Sequence, residues 1–466
     1  MTSVASTVDG WLPVAPISAH GMQLLLLQLG LLLALALGLG RLAVRFGMPA
    51  LVGELTAGVL VGPSVLARLA PGLSAWLLPA DRAQLNLLDA VGQLGVLLLV
   101  GVTGMHLDLK LLRRKGATAA KVSVGGLLVP LGLGVGLGFA LPASLFGTGT
   151  DRPVFALFLG VAMGVSAIPV IAKTLLEMRL LHRDIGQLII SAAVVDDIAG
   201  WLLLSVVSAL AATGLVAGQL ALSVGGLVAV LTLAALVGRP VVNLTTRVCA
   251  RSREPAPTVA AVVVLLLLAA AGTHALGMEP VLGTLLCGIL IGSSPAFDPG
   301  RLATLRLFVM AVLAPIYFAT AGLRMDLTAL AEPAVLASAA LVLGAAIVGK
   351  FTGAYLGARA GRLPHWEALA LGSGLNARGV IEVIVAMVGL RLGVLTTASY
   401  TIIVLVAIVT SLMAPPSLRY AVRRIVVTDE ECAREAIFEE RNDGDAAVDR
   451  DRHARVPGVP PALDQR

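Results

Sequence analysis

The sequence predicts an all-α integral membrane protein with about thirteen transmembrane helices. Composition is the first reason. Of 466 residues, 58% are hydrophobic and 13% charged, roughly half the charged fraction that covers a soluble protein. Length is the second, because apolar runs recur near the ~20 residues that cross a hydrocarbon core. The third is the placement of Lys and Arg, which collect on alternate connections as the positive-inside rule requires.

In chain order the expected spans are Met22–Val44, Ala50–Leu66, Leu85–Leu107, Ala119–Ala140, Pro153–Leu176, Ile185–Leu210 and Leu215–Val237. Then follow Thr258–Leu276, Pro280–Ser293, Leu305–Leu323, Ala334–Leu356, Ala368–Leu390 and Thr397–Met413. Small residues suit helices that approach closely in lipid. GLGVGLGF (Gly132–Phe139) reads as such a packing seam, since no strand precedes it and no acidic residue follows at dinucleotide-loop spacing. Residues 1–20 form a short external N-terminus without Lys or Arg, so the basic n-region of a signal peptide is lacking. Residues 21–416 form the membrane domain: a first repeat over 22–210, a linker helix over 215–237 and a second repeat over 258–413. Residues 417–466 form a cytoplasmic tail, in which TDEECAREAIFEE suits a short surface helix and the end from Gly444 suits disorder.

The loops test this count. With the N-terminus outside, Arg41, Arg45, Lys110, Arg113, Arg114, Lys115, Lys121, Lys173, Arg179 and Arg183 fall on one side. They are joined there by Arg239, Arg247, Arg251, Arg253, Arg301, Arg306, Arg359 and Arg362. The other side receives Arg68, Arg82, Arg152, Arg324 and Arg391. A wrong count would scramble the partition, so the C-terminus is expected in the cytoplasm and the chain in the cell membrane. The net charge of +6 then reflects sidedness, not a nucleic-acid partner. Cys249, Cys287 and Cys432 have no metal or disulfide spacing, and no cofactor is expected.

LVGELTAGVLVG (Leu51–Gly62) matches VLGTLLCGILIG (Val281–Gly292) about 230 residues later. TGMHLDL (Thr103–Leu109) matches AGLRMDL (Ala321–Leu327) in the same order. By the loop assignment each first copy lies opposite to its second, which marks an inverted-topology repeat.

Ionisable groups deep in a span each cost about 2.5–3.5 kcal/mol at least, so those present demand a reason. The sixth span carries Asp196 and Asp197 at its midpoint. Neighbours on a helix diverge by about 100°, so the two carboxylates face different surroundings. Two like charges this close push one pKa up, and protonation removes both charge and oxygen ligand. A proton and a transported monovalent cation therefore compete for the metal-binding pair Asp196 and Asp197. Lys350, near the middle of the eleventh span, needs a carboxylate partner, and one of the two aspartates is the obvious one. Ser166 and Pro169 mark a broken fifth span, and Asn376, Arg378 and Glu382 a broken twelfth. Arg378 and Glu382 stand four apart and neutralise each other or serve transport. Glu54 and Asp89, near span ends, read as water-facing.

The segments GELTAGVLVGPSVL (Gly53–Leu66), LGVLLLVGVTGMHLDL (Leu94–Leu109), VVDDIAGW (Val194–Trp201), PIYFATAGLRMDL (Pro315–Leu327) and NARGVIEVIV (Asn376–Val385), together with Lys350, cover most of residues 20–415. On them the chain resembles the monovalent cation:proton antiporter superfamily, in its branch of Kef-type exchangers and plant cation/H+ exchangers. The resemblance implies the sodium/proton antiporter fold, with crossed, broken fifth and twelfth helices and a scaffold half that forms a homodimer. It implies Asp197 as main carrier, Asp196 as partner of Lys350, elevator-like movement and, from the paired aspartates, electrogenic exchange. Kef-type systems append a nucleotide-binding domain, whereas about fifty residues follow Met413 here, too few for a Rossmann unit.

The expected function is exchange of Na+ or K+ for H+. The alternatives are a channel-like K+ efflux protein, for which no filter-like sequence is present, and an exporter of a larger molecule on the same scaffold. No nucleophile–base pair or His/Cys cluster accompanies the carboxylates, so an enzyme is not expected.

Overall fold

A computed structural model describes residues 17–428 and 431, apart from 80, 106–115, 167–170, 172, 173, 176, 177, 179, 181, 182, 214–216 and 253. The first elements are α1 (Ala19–Arg45), α2 (Ala50–Val61), α3 (Arg82–Met105), α4 (Gly116–Ala140), α5 (Arg152–Gly164) and α6 (Asp184–Thr213). α7 (Ala217–Leu233) continues through a π-helical turn, Ala234–Gly238, into Arg239–Ala250. Then come α8 (Ala256–Ala275), α9 (Pro280–Gly292), α10 (Ala314–Leu323), α11 (Pro333–Ala360), α12 (His365–Leu375), α13 (Val380–Arg391) and α14 (Thr397–Val422). Extended pairing among the described residues is limited to one isolated bridge, Phe146 to Leu395.

Among the described residues, ten helical stretches are long and apolar enough to cross a bilayer, with α2 and α10 counted together with their flanking turns as Ala50–Leu69 and Pro299–Leu323, and eleven when α12 and α13 count as one span bent by 44°. The expected fifth and ninth spans are represented by shorter apolar helices, α5 and α9. Outward-facing leucines such as Leu26, Leu128, Leu268 and Leu341 are 57–65% exposed, as a lipid-facing surface demands. The architecture is that of an all-α multi-pass membrane protein.

The internal repeat is visible in the packing. Two residues past their ends, α1 is followed by Gly47 (φ 72°) and α8 by Gly277 (φ 75°), both in the left-handed conformation that glycine adopts without penalty. Met48 N–H returns to Ala43 O and Met278 N–H to Thr273 O, each at 3.0 Å. A Cβ on Gly58 of α2 would lie 1.9 Å from Ala319 O of α10. One on Gly288 of α9 would lie 2.2 Å from Gly101 O of α3. Each copy of the short helix thus wedges against the other copy's partner helix, at backbone distance. The copy at Thr103–Leu109 is described only to Met105.

α4 and α11 also meet backbone to backbone, since a Cβ on Gly353 would lie 2.2 Å from Gly125 O. The seam in α4 is used on one face only. Cβ atoms on Gly134 and Gly138 would come within 2.7 and 2.4 Å of α5 Cα atoms, whereas Gly132 and Gly136 have nothing within 4 Å.

Two helices outrun their expected ends. The seventh span does not stop at Val237: a π-helical turn at Ala234–Gly238 precedes Pro240, and the chain stays helical to Ala250. Proline lacks the donor for an i→i−4 bond, and the looser turn lies where that bond is missing. Arg239, Asn243 and Arg247 then share one helical face. α14 likewise passes Met413 and carries Pro415 and Pro416 inside it before ending at Val422.

Candidate functional site

Five buried ionisable side chains gather where α4, α5, α6, α11 and the α12–α13 break meet. Asp196 and Asp197 stand on α6 at 0% and 2% exposure, and Lys350 on α11 at 0%. Arg378, in the break, is 0% exposed and Glu382, in the first turn of α13, is 2%.

Asp196 is held by three side chains. Its Oδ2 accepts from Lys350 Nζ at 2.6 Å and from Ser166 Oγ at 2.9 Å. Its Oδ1 accepts a short bond from Ser123 Oγ of α4. Ser166 Oγ also lies 3.1 Å from Leu375 O, the last residue of α12, so the two breaks touch. Lys350, Ser166 and Asp196 are therefore brought together.

The end of α5 explains why two cations are tolerated here. The last four carbonyls of a helix lack intrahelical donors and carry its partial negative charge. Three of them are met by side chains: Ala162 O and Met163 O by Arg378, at 3.3 and 2.6 Å, and Gly164 O by Lys350 Nζ, at 2.6 Å. Arg378 Nη2 reaches Ala346 O of α11 at 3.1 Å. The half-helix thus ends against guanidinium and ammonium.

Arg378 Nη1 and Glu382 Oε1 are 3.1 Å apart. They are not stacked along one continuous helix, because the break at Asn376–Gly379 intervenes and Arg378 pairs across the N-terminus of α13. Ser411 Oγ of α14 donates to the Arg378 carbonyl freed by the break. Asn376 is 3% exposed, and its Oδ1 has no hydrogen-bond partner among the described residues. Pro169 lies outside the described residues. Lys350 interacts electrostatically with Asp196, Asp197 and Arg378, and Glu382 with Arg378 and Lys350, which makes the five one charged cluster.

Sequence reasoning missed Ser123, Ser411 and the capping of α5 by Arg378. A lone serine in an apolar run is a weak signal, since its hydroxyl is readily satisfied by its own helix. Asp89, read as water-facing, is 34% exposed and bonded to Arg324 at 2.5 Å. Arg391, at the end of α13, reaches Glu279 at 2.8 Å and Gln93 of α3 at 3.2 Å.

A model of the sodium/hydrogen exchanger transmembrane family matches residues 31–424. The chain belongs to the sodium/hydrogen exchanger family. Among curated relatives of this chain, Na(+)/H(+) antiporter NhaS4 of Synechocystis sp. is 32% identical over 397 residues, covering 85% of this chain and 96% of that protein. Cation/H(+) antiporter 17 of Arabidopsis thaliana is 31% identical over 401 residues, covering 85% of this chain and 48% of its own. K(+)/H(+) antiporter 1 of Saccharomyces cerevisiae is 27% identical, covering 82% of this chain and 45% of its own. The chain thus spans about half the length of the plant and yeast relatives. Among solved structures, the sodium proton antiporter MjNhaP1 from Methanocaldococcus jannaschii superposes with a TM-score of 0.61 at 16% identity, over 86% of this chain and 99% of that one. The chain shares that fold.

Proposed function

We propose that the protein is a secondary active antiporter exchanging a monovalent cation, Na+ or K+, for H+ by alternating access. The observation that carries this reading is the charge balance of the buried cluster. Three carboxylates (Asp196, Asp197, Glu382) face two cations (Lys350, Arg378), all at most 2% exposed. Fully ionised, the cluster holds one negative charge in excess. One monovalent cation or one proton neutralises it, and the two compete.

Asp197 is the carrier in this reading, with Asp196 held by Lys350, Ser123 and Ser166. Asn376 Oδ1 supplies a neutral oxygen of the kind alkali cations accept. Protonating Asp197 removes both the charge and the ligand, which releases the ion. The half containing α4–α6 and α11–α14 moves against a scaffold of α1–α3 and α8–α10, carrying the site between the two faces. The protein sits in the cell membrane as a homodimer, with its N-terminus outside and its C-terminus in the cytoplasm. The relatives' names support exchange and keep both Na+ and K+ in play.

The test is transport by purified protein in proteoliposomes. Na+, K+ and Li+ pulses are applied across an imposed pH gradient and read by an internal pH dye. Asp197→Asn is expected to abolish cation-dependent proton movement while leaving the yield of folded protein unchanged. Full exchange by that variant removes the proposed carrier. Cation flux without stoichiometric proton movement replaces the antiporter by a channel.

A further inference from the structure

Beyond the last span, the chain turns back onto the cytoplasmic end of α6. Glu431 is 4% exposed although it is charged and lies outside the membrane segments. Charged side chains are buried to that degree only when they are paired. Glu431 Oε1 accepts the backbone N–H of Asp184, the first residue of α6, at 2.7 Å. That amide is one of the donors a helix start leaves without an intrahelical partner, at the positive end of the helix dipole.

The same carboxylate serves its own segment. Oε2 accepts Thr428 N–H at 3.1 Å, and Thr428 Oγ1 accepts Glu431 N–H at 3.3 Å, the reciprocal bonds of a capping box. Arg183 closes the arrangement from the other side. Its Nε lies 3.6 Å from Glu431 Oε2, and its Nη2 donates to Ile425 O and Val426 O, both at 3.3 Å. A capping box alone would account for the bonds to Thr428. It would not account for the bond to Asp184 or for the buried pair with Arg183.

We propose that Glu431 is a positioning residue for ion exchange, a carboxylate clamp by which the segment after α14 holds the first turn of α6, the helix bearing Asp196 and Asp197. The proposal rests on the antiporter reading for its effect on transport, and on geometry for the clamp itself. Asp184 stands about 18 Å from Asp196 at 1.5 Å per residue, so Glu431 touches no transported ion. It acts through α6, fixing the start of that helix relative to α14 while the core half moves.

Two measurements on the full chain test this, with Glu431→Ala and Glu431→Gln compared with the unaltered protein. The first is amide hydrogen exchange of the peptide covering the first turn of α6. Exchange is expected to quicken about fivefold in Glu431→Ala, the scale of a lost helix cap. It should quicken less in Glu431→Gln, which keeps a carbonyl acceptor for Asp184 but loses the charge facing Arg183. The second is the rate of Na+- or K+-driven proton movement per folded molecule. The maximum rate is expected to fall several-fold in Glu431→Ala while the apparent cation KM is unchanged. Unaltered hydrogen exchange at α6 overturns the clamp. A per-molecule rate equal to that of the unaltered protein, with any deficit confined to folded yield, overturns the positioning role. A raised KM does so too, because it places Glu431 in ion binding. Should the unaltered protein show no cation–proton exchange, the antiporter reading fails and with it the positioning role, while hydrogen exchange still decides the clamp.

Discussion

Lys350 donates to one carboxylate and one carbonyl, Asp196 Oδ2 and Gly164 O, and so ties α6 to the end of α5 from a third helix. Removing one partner of a buried pair leaves an uncompensated charge, typically at 3–5 kcal/mol. Lys350→Ala is therefore expected to lower unfolding stability by about that much, read as a drop in Tm in detergent. Unchanged stability would show that Asp196 does not depend on the pair. Ser123→Ala removes a neutral donor to the same carboxylate and is expected to cost about 1–2 kcal/mol in the same assay. The difference in size also explains what could be read beforehand. A lysine in a charge-free run of apolar residues asks for a partner, and the aspartate pair was the nearest answer. A serine asks for nothing, and neither the α5 carbonyls under Arg378 nor the bond from Ser123 can be inferred until the helices are placed.

At the scale of elements, the glycines separate two kinds of position that look alike in sequence. Gly58→Ala and Gly288→Ala would each push a methyl group into a facing carbonyl, and no side chain is there to yield. Each is expected to destabilise by roughly 1–3 kcal/mol, measured by thermal unfolding. Gly136→Ala, with open space around it, is expected to be neutral or slightly stabilising in the same measurement. A Gly58→Ala variant as stable as the unaltered protein would mean that α2 and α10 do not approach as closely as described. The repeat was legible because the same close approach demands glycine at the same register in both copies. Span ends were less legible. The expected ends at Val237 and Met413 lie just before Arg239–Pro240 and Pro415–Pro416, where proline removes a helical bond locally, yet in both places the helix continues, through a π-helical turn in one case.

Taken as a whole, the molecule carries a tie between the two halves proposed above, because Arg391 at the end of α13 meets Glu279 and Gln93 of the proposed scaffold. The elevator movement proposed above requires this tie to open in every cycle. Glu279→Gln is expected to favour the arrangement open to the outside. In a background lacking the native cysteines, Ser208→Cys, 4% exposed as serine here, should then react faster with a membrane-impermeant thiol reagent. Equal labelling with and without the Glu279 change would argue that Arg391 does not hold the outer side shut. The mutual wedging of α2 against α10 and α9 against α3 reaches further, into biosynthesis. When the ribosome has released the first copy, Gly58 has no surface to lean on, and none exists until the second copy has been translated and inserted. The first half can pack α2 on α1, where a Cβ on Gly53 would lie 2.2 Å from Leu39 O, but the face of α2 around Gly58 must wait in the lipid, uncovered, for a partner encoded far downstream.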